Sequence, residues 1–309
     1  MSAKAVHHKV CVVGAGPCGL TAIESLVRNG ISDVICHEAQ DTIGGLWAFS
    51  EDTKRPSVYD SAHIISSRRM SAFRDFPMPK EYPDFPSHKQ ILAYFESYAD
   101  LHQLRSHIRF KSSVQSAERM ADGGWCLIIE DEDGTHEETA DFLVVAAGHH
   151  RKPFTPQIAS DFDGEQLHSS QYRSTKGFEG KRVLVVGAGN SACDIAASLA
   201  QVSDHVSLSM RSPQYIVPKT IYGRPVDVQF GKIQGLPNFA RRLILRLGLR
   251  IFMGRYGNYG LPQPDADVLS SHPTLNTDIL EMLTHGKVAI CSETKEASGN
   301  SIKFSNGDS

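Results

Sequence analysis

No two cysteines in the sequence stand at the Cys-x-x-Cys spacing of a redox or metal site, although there are 6 among 309 residues. Cys11, Cys18, Cys36, Cys126, Cys193 and Cys291 are scattered, mostly inside apolar strand or helix patterns, and this points to a reducing, cytoplasmic setting. Charge of one sign is also lacking. With 32 Lys and Arg against 35 Asp and Glu, the net charge is −3, which leaves no basic footprint for a phosphate backbone and excludes nucleic acid as a partner. No stretch reaches the roughly 18 apolar residues that a membrane span needs. Met1 to His8 is polar and runs straight into a strand pattern, so no signal peptide is expected. Neither a Ser/His/Asp constellation nor a pair of neighbouring carboxylates stands out for acid, base or nucleophilic chemistry. The 40% hydrophobic and 22% charged content is ordinary for a globular chain, and the length suits about two domains.

What is present is one plan used twice. The apolar run Lys9-Val10-Cys11-Val12-Val13 leads into Gly14-Ala15-Gly16-Pro17-Cys18-Gly19 and a helix pattern from Leu20 to Arg28. The same order recurs as Arg182-Val183-Leu184-Val185-Val186, then Gly187-Ala188-Gly189-Asn190-Ser191-Ala192 and a helix pattern from Cys193 to Ala200. A second strand follows each helix, over 33–38 and 205–209, so each copy reads as a βαβ unit. Ile108-Arg109-Phe110 and a hairpin around Asp131–Gly134 answer Val288-Ala289-Ile290 and a turn at Ser305–Asp308. The first copy then has a closing strand, 141–148, which the second lacks. The expectation is an α/β chain with two Rossmann-like dinucleotide-binding domains, the first incomplete at its C-terminal end and the second inserted into it and truncated before its own last strand. The expected division is 1–160, a linker over 161–180, and 181–309.

A glycine-rich turn between strand and helix suits a diphosphate for three reasons. Gly14 permits the tight turn, Gly16 lets a phosphate approach the backbone, and Gly19 lets helix and strand pack closely, while the helix N-terminus supplies N–H groups and partial positive charge. Glu38 ends the second strand about two dozen residues after Gly14, where a carboxylate accepts from both hydroxyls of an adenine ribose. The second copy has Ser209-Met210-Arg211-Ser212 at this place, a guanidinium in place of a carboxylate, which favours a 2′-phosphate and hence NADP over NAD. Ala192 replaces the third glycine there; a small side chain suffices. Asn190, Ser191 and Asp194 lie on the first turns of this helix, as cofactor contacts or caps. Asp41-Thr42-Ile43-Gly44-Gly45-Leu46-Trp47 is a further glycine loop able to cover a flavin's ribityl chain and diphosphate, with Leu46 and Trp47 as core anchors in the plainer reading.

Taken together, these residues resemble the class B flavin-dependent monooxygenases, the flavin-containing monooxygenases in particular, over nearly the whole chain. The resemblance rests on VVGAGPCGL, IGGLW, VGAGNSACDIA and the segment from Phe162 to Tyr172, which fits the fingerprint F-x-G-x-x-x-H-x-x-x-Y. Tyr172 resembles the N- and S-oxygenating branch, where the Baeyer–Villiger branch usually has tryptophan. Within that segment His168 and Tyr172 are expected to position the linker rather than to act as acid or base. Tyr59-Asp60-Ser61 through Phe76-Pro77-Met78-Pro79 is also similar, with one departure: Ile65 stands where the family often has a flavin-side asparagine, and Ser66 is the nearest polar substitute. Ser66 is therefore the candidate catalytic residue.

The resemblance implies FAD on Gly14, Ala15, Gly16, Pro17, Cys18, Gly19, Glu38, Gly45, Leu46, Trp47, Ile65 and Ser66. It implies NADPH on Gly187, Gly189, Asn190, Ser191, Ala192, Asp194 and Arg211, and no metal. The implied reaction has NADPH reduce the flavin, dioxygen add to it, and the hydroperoxyflavin pass an oxygen atom to a soft nucleophile, so the cofactor carries the chemistry. A small-molecule amine or sulfide and dioxygen are the implied partners, and a homodimer is allowed. Alternatives are a Baeyer–Villiger ketone monooxygenase and an inactive nucleotide-binding fragment. A flavin disulfide reductase is set aside, because no cysteine lies between Cys36 and Cys126. Phe239 to Arg255 interleaves arginines with leucines and isoleucines at helical spacing and is expected to be a surface helix rather than a membrane contact. His272 to Asn276 follows the Pro-rich stretch Leu261-Pro262-Gln263-Pro264 and is expected to line the cleft between the domains, with no motif that assigns it a role.

Overall fold

The computed structural model describes residues 6–156, 161–265, 267–268 and 273–309. The chain forms two compact units, Met1–Asp60 with Ser87–Pro153, and Ser61–Pro86 with Phe154–Ser309.

The first unit opens with β1 (Val6–Val13), α1 (Pro17–Arg28) and β2 (Val34–His37). Val10, Cys11 and Val12 at the centre of β1 are buried, and Leu20 and Ile23 one turn apart on α1 put its apolar face against the sheet. Pro17 occupies the first turn of α1, where its missing N–H costs nothing, and the helix ends at Asn29 before Gly30, which has φ 85°. The chain then forms α2 (Arg68–Ser71), counted with the second unit, and returns in α3 (His88–Leu101), opened by a Ser87/Gln90 capping box. β3 (Ile108–Arg109), β4 (Ser113–Arg119), β5 (Trp125–Asp131) and β6 (Gly134–Val145) complete one sheet in the order β3-β2-β1-β6-β5-β4. β1, β2, β3 and the β1/β6 pair run parallel, while β4, β5 and β6 form an antiparallel meander. Cys11, Ile35, Leu127, Ile129 and Ala140 form one buried cluster of this sheet.

The second unit repeats the opening as β7 (Arg182–Val186), α4 (Asn190–Leu199) and β8 (His205–Ser209). After β9 (Ile216–Val217), β10 (Thr220–Ile221), β11 (Arg224–Pro225), α5 (Val226–Gly231) and α6 (Asn238–Met253) come β12 (Thr274–Leu275), α7 (Asp278–Thr284) and β13 (Val288–Cys291). The parallel order β13-β8-β7 repeats β3-β2-β1, as the internal similarity led one to expect. Asp227 on α5 accepts the Ser67 N–H at 2.6 Å, one tie between segment 61–86 and the rest of this unit. β14 (Thr294–Ser298) and β15 (Ser301–Phe304) form a hairpin closed at Gly299-Asn300, not at 305–308. Gly299 takes φ +57°, and the Asn306-Gly307 pair makes a separate turn after β15. On α6 the buried face is Leu245, Leu249 and Met253, while Phe239, Leu243, Leu247 and Ile251 are exposed. Among the described residues no helix is long and apolar enough to cross a membrane.

Candidate functional site

In the first unit the turn after β1 is held from both sides. Gly14 N–H donates to the His37 carbonyl at 2.9 Å, and Ala146 N–H donates to the Val13 carbonyl at 2.9 Å. Gly14 has φ +98°, and a Cβ there would lie 2.8 Å from the Ala146 carbonyl oxygen; a Cβ on Gly19 would lie 1.9 Å from the Gly14 oxygen. Both glycines are thus required by the turn itself. Gly16 is different: its φ of −71° suits any residue, and a Cβ would meet only the Gly45 backbone, Cα at 3.7 Å and N at 4.0 Å. Gly16 caps α1 with no side-chain hydrogen bond, so the start of this helix is not closed by a side chain.

The second glycine loop lies against this turn. Gly44 N–H donates to the Ala15 carbonyl at 3.0 Å, Gly44 and Gly45 have φ of 103° and 57°, and Gly45–Trp47 form a short 3₁₀ turn with Leu46 and Trp47 half-buried. Two glycine backbones therefore face each other beside an uncapped helix end. Glu38 is buried, and its two carboxylate oxygens accept from Ala15 N–H at 2.7 Å and Gln40 N–H at 2.8 Å. Ala15 thus gives its N–H to the carboxylate. One bond to each oxygen fixes the group's direction and leaves acceptor capacity for further donors. Cys18 is exposed on the first turn of α1.

In the second unit Gly187 N–H donates to the Ser209 carbonyl at 2.9 Å, the counterpart of the Gly14 bond, and Gly187 has φ +123°. Ala192 stands where the first turn has Gly19, and even a Cβ built on Gly187 would lie 3.8 Å from its methyl. Gly189 is exposed, has φ −76°, caps α4 with no side-chain bond, and a Cβ on it would meet nothing within 4 Å. Ser191 is exposed beside it. Arg211 is exposed just beyond β8 and lines a cavity of about 590 Å³ together with Ser212, Pro213, Leu261, Ile290 and Glu293. Burial pushes the Cys193 thiol up to about 12, so it stays protonated and inert behind this turn.

Two residues that the sequence left without a role belong here. Thr274 and Asn276, both buried, donate to the Ala188 carbonyl at 2.9 Å and to Asp194 Oδ1 at 2.5 Å, and Leu275 N–H donates to Asn190 Oδ1 at 3.0 Å. Asn190 and Asp194 therefore spend side-chain oxygens on this strap. His272, from the same expected stretch, lies outside the described residues. Ile65 and Ser66 are counted with the second unit; Ile65 is exposed, and Ser66 Oγ is 2.6 Å from Ser71 Oγ. In the linker, His168 Nδ1 sits 2.8 Å from Ser170 Oγ, and Tyr172 is buried with its ring 5.9 Å from that of Phe178. Among the described residues no group of three or more His, Cys, Asp or Glu is arranged to hold a metal.

Each turn holds one glycine, Gly16 or Gly189, whose missing side chain the fold itself does not demand. The family model described as "Flavin-binding monooxygenase-like" matches residues 7–309. The human protein named flavin-containing monooxygenase 5 is 34% identical over 97% of this chain and 59% of its own length. The rat protein named dimethylaniline monooxygenase [N-oxide-forming] 2 is 33% identical over 97% of this chain and 58% of its own. The chain thus spans about three fifths of the length of these curated relatives. A solved structure described as OTEMO in complex with FAD and NADP shares the fold, with a TM-score of 0.73 at 20% identity over 99% of this chain and 70% of that one. With the family model covering nearly all of its length, the chain belongs to the flavin-binding monooxygenase-like family.

Proposed function

We propose that this chain is the two-nucleotide part of an NADPH-dependent flavin monooxygenase acting on soft nitrogen or sulfur atoms of small molecules. FAD is assigned to the first turn and NADPH to the second. The observation that carries this is the difference between two otherwise equivalent turns: a buried, doubly fixed Glu38 beside the first and an exposed Arg211 at a cavity beside the second. A carboxylate suits ribose hydroxyls; a guanidinium suits a 2′-phosphate.

When bound, the flavin supplies the redox and oxygen chemistry, with NADPH as the hydride source. The chain's own residues bind and orient. Gly16 and Gly45 admit the first diphosphate, Glu38 takes the ribose hydroxyls, and Leu46 and Trp47 wall the loop above it. Gly187, Gly189, Ser191 and Ala192 form the second diphosphate seat, with Arg211 on the 2′-phosphate. Ser66 is proposed as the flavin-side hydroxyl, supported by the alignment of 65–67 with the family's asparagine stretch. An amine or sulfide needs no side chain to activate it as a nucleophile, which agrees with the choice of N- or S-oxygenation. The rat relative's name, N-oxide-forming, supports the same choice. A reducing cytoplasmic setting is proposed from six free cysteines.

The test is NADPH oxidation by the flavin-loaded chain with an amine, a sulfide and a ketone, and mass spectrometry of the products. N-oxide or S-oxide formation is expected. Ester formed from the ketone alone would move the assignment to Baeyer–Villiger chemistry, and no flavin uptake with no NADPH consumption would favour an inactive binding fragment.

A further inference from the structure

The strap Thr274–Asn276 is rigidly mounted. Thr274 N–H donates to the Tyr215 carbonyl at 2.8 Å and Asn276 N–H to the Val217 carbonyl at 2.9 Å, so β12 is paired in parallel with β9. Asn276 Oδ1 accepts the Ile279 N–H at 2.8 Å and so ties the strap to the start of α7. From this mount the Thr274 hydroxyl, on a residue only 4% exposed, reaches the Ala188 carbonyl at 2.9 Å.

In a trans peptide the carbonyl and the following N–H lie in one plane and point in opposite directions. Holding the Ala188 oxygen toward the strap therefore turns the Gly189 N–H away from it. Gly189 is also the exposed residue on which a Cβ would meet nothing within 4 Å. The Leu275 bond to Asn190 Oδ1 draws the Asn190 side chain to the strap as well.

We infer that Thr274 is a positioning residue for the second nucleotide: its hydroxyl fixes the Ala188–Gly189 peptide so that the Gly189 N–H faces the diphosphate. This rests on the reading of the second turn as a dinucleotide seat. Valine at 274 keeps the shape of the side chain and removes the donor; serine keeps the donor.

Calorimetric titration of the wild type, Thr274→Val and Thr274→Ser with NADP⁺ and with adenosine 2′-monophosphate separates the possibilities, because the second ligand has the 2′-phosphate but no diphosphate. For Thr274→Val the affinity for NADP⁺ is expected to fall about three- to tenfold, the scale of one neutral hydrogen bond. Adenosine 2′-monophosphate binding should stay unchanged, and Thr274→Ser should bind NADP⁺ like the wild type. Three results would overturn the role: undiminished NADP⁺ affinity in Thr274→Val, equal loss of both ligands in it, or a serine variant as weak as the valine one. A wild type that binds neither ligand overturns the underlying reading of the turn, and the positioning role with it.

Discussion

Gly14 and Gly19 are glycines because the backbone leaves no room for a side chain, whereas Gly16 and Gly189 are glycines with ordinary φ and space around them. The third position of the two turns differs accordingly in what one methyl group does. Gly19→Ala puts a methyl 1.9 Å from the Gly14 oxygen. It is expected to destabilise the first unit by about 1–3 kcal/mol, the usual cost of overpacking, read from urea unfolding. Ala192→Gly, at the equivalent position of the second turn, should cost only about 0.5–1 kcal/mol, the backbone entropy of glycine in a helix. At Arg211 the expected effect is on ligand choice. Arg211→Ala should reduce the preference for NADPH over NADH about 10- to 100-fold in KM, since a charged hydrogen bond is worth roughly 1.5–3 kcal/mol. An unchanged ratio would remove Arg211 from the site. These residues were legible because each turn is contiguous in the chain. Thr274 and Asn276 were not: they meet Ala188 and Asp194 across more than 80 positions, and only the β9/β12 pairing brings them together.

Apolar segments and the Asp131–Gly134 hairpin follow the sequence pattern, whereas the polar ends of two strands do not. β8 has the expected bounds, and the arginine-rich stretch forms α6 as its spacing implied. β1, however, begins at Val6 and β6 at Gly134, earlier than hydropathy suggested. The reason is pairing: Lys9 Nζ meets Asp141 at 2.6 Å, and the polar half of β6 carries Glu138, a carboxylate shared by four elements. His8 from β1 and His37 from β2 approach it at 3.2 and 3.1 Å, His136 from β6 at 3.2 Å, and Arg109 from β3 bonds it directly. Burial alone would raise this carboxyl, but the His37 hydrogen bond and charge and the Arg109 charge hold it at about 2 rather than the ordinary 4.5. A depressed folded value means that the carboxylate stabilises the fold above the ordinary pKa and that this contribution is lost as pH falls from 4.5 towards 2. The thermal midpoint should therefore drop across that window. Glu138→Gln, which has no proton to take up there, should be less stable at neutral pH and show a shallower drop; equal slopes would contradict the cluster's role.

Across the whole chain, each of two βαβ units seats one dinucleotide at its own turn in the reading proposed above. Repetition made the architecture legible, and the carboxylate-for-guanidinium exchange is the basis on which the two ligands are proposed, while the family match covers residues 7–309. Gly16 and Gly189 are the positions at which that claim is tested, because a side chain at each starts from ordinary backbone angles with no contact closer than 3.7 Å for its Cβ and grows into the space proposed for a phosphate. The most direct measurement is the binding stoichiometry of FAD and NADP⁺ on the wild type, Gly16→Val and Gly189→Val. The expected result is both ligands on the wild type, loss of FAD alone in Gly16→Val and loss of NADP⁺ alone in Gly189→Val. Loss of both ligands in one variant, or of neither in both, would contradict it.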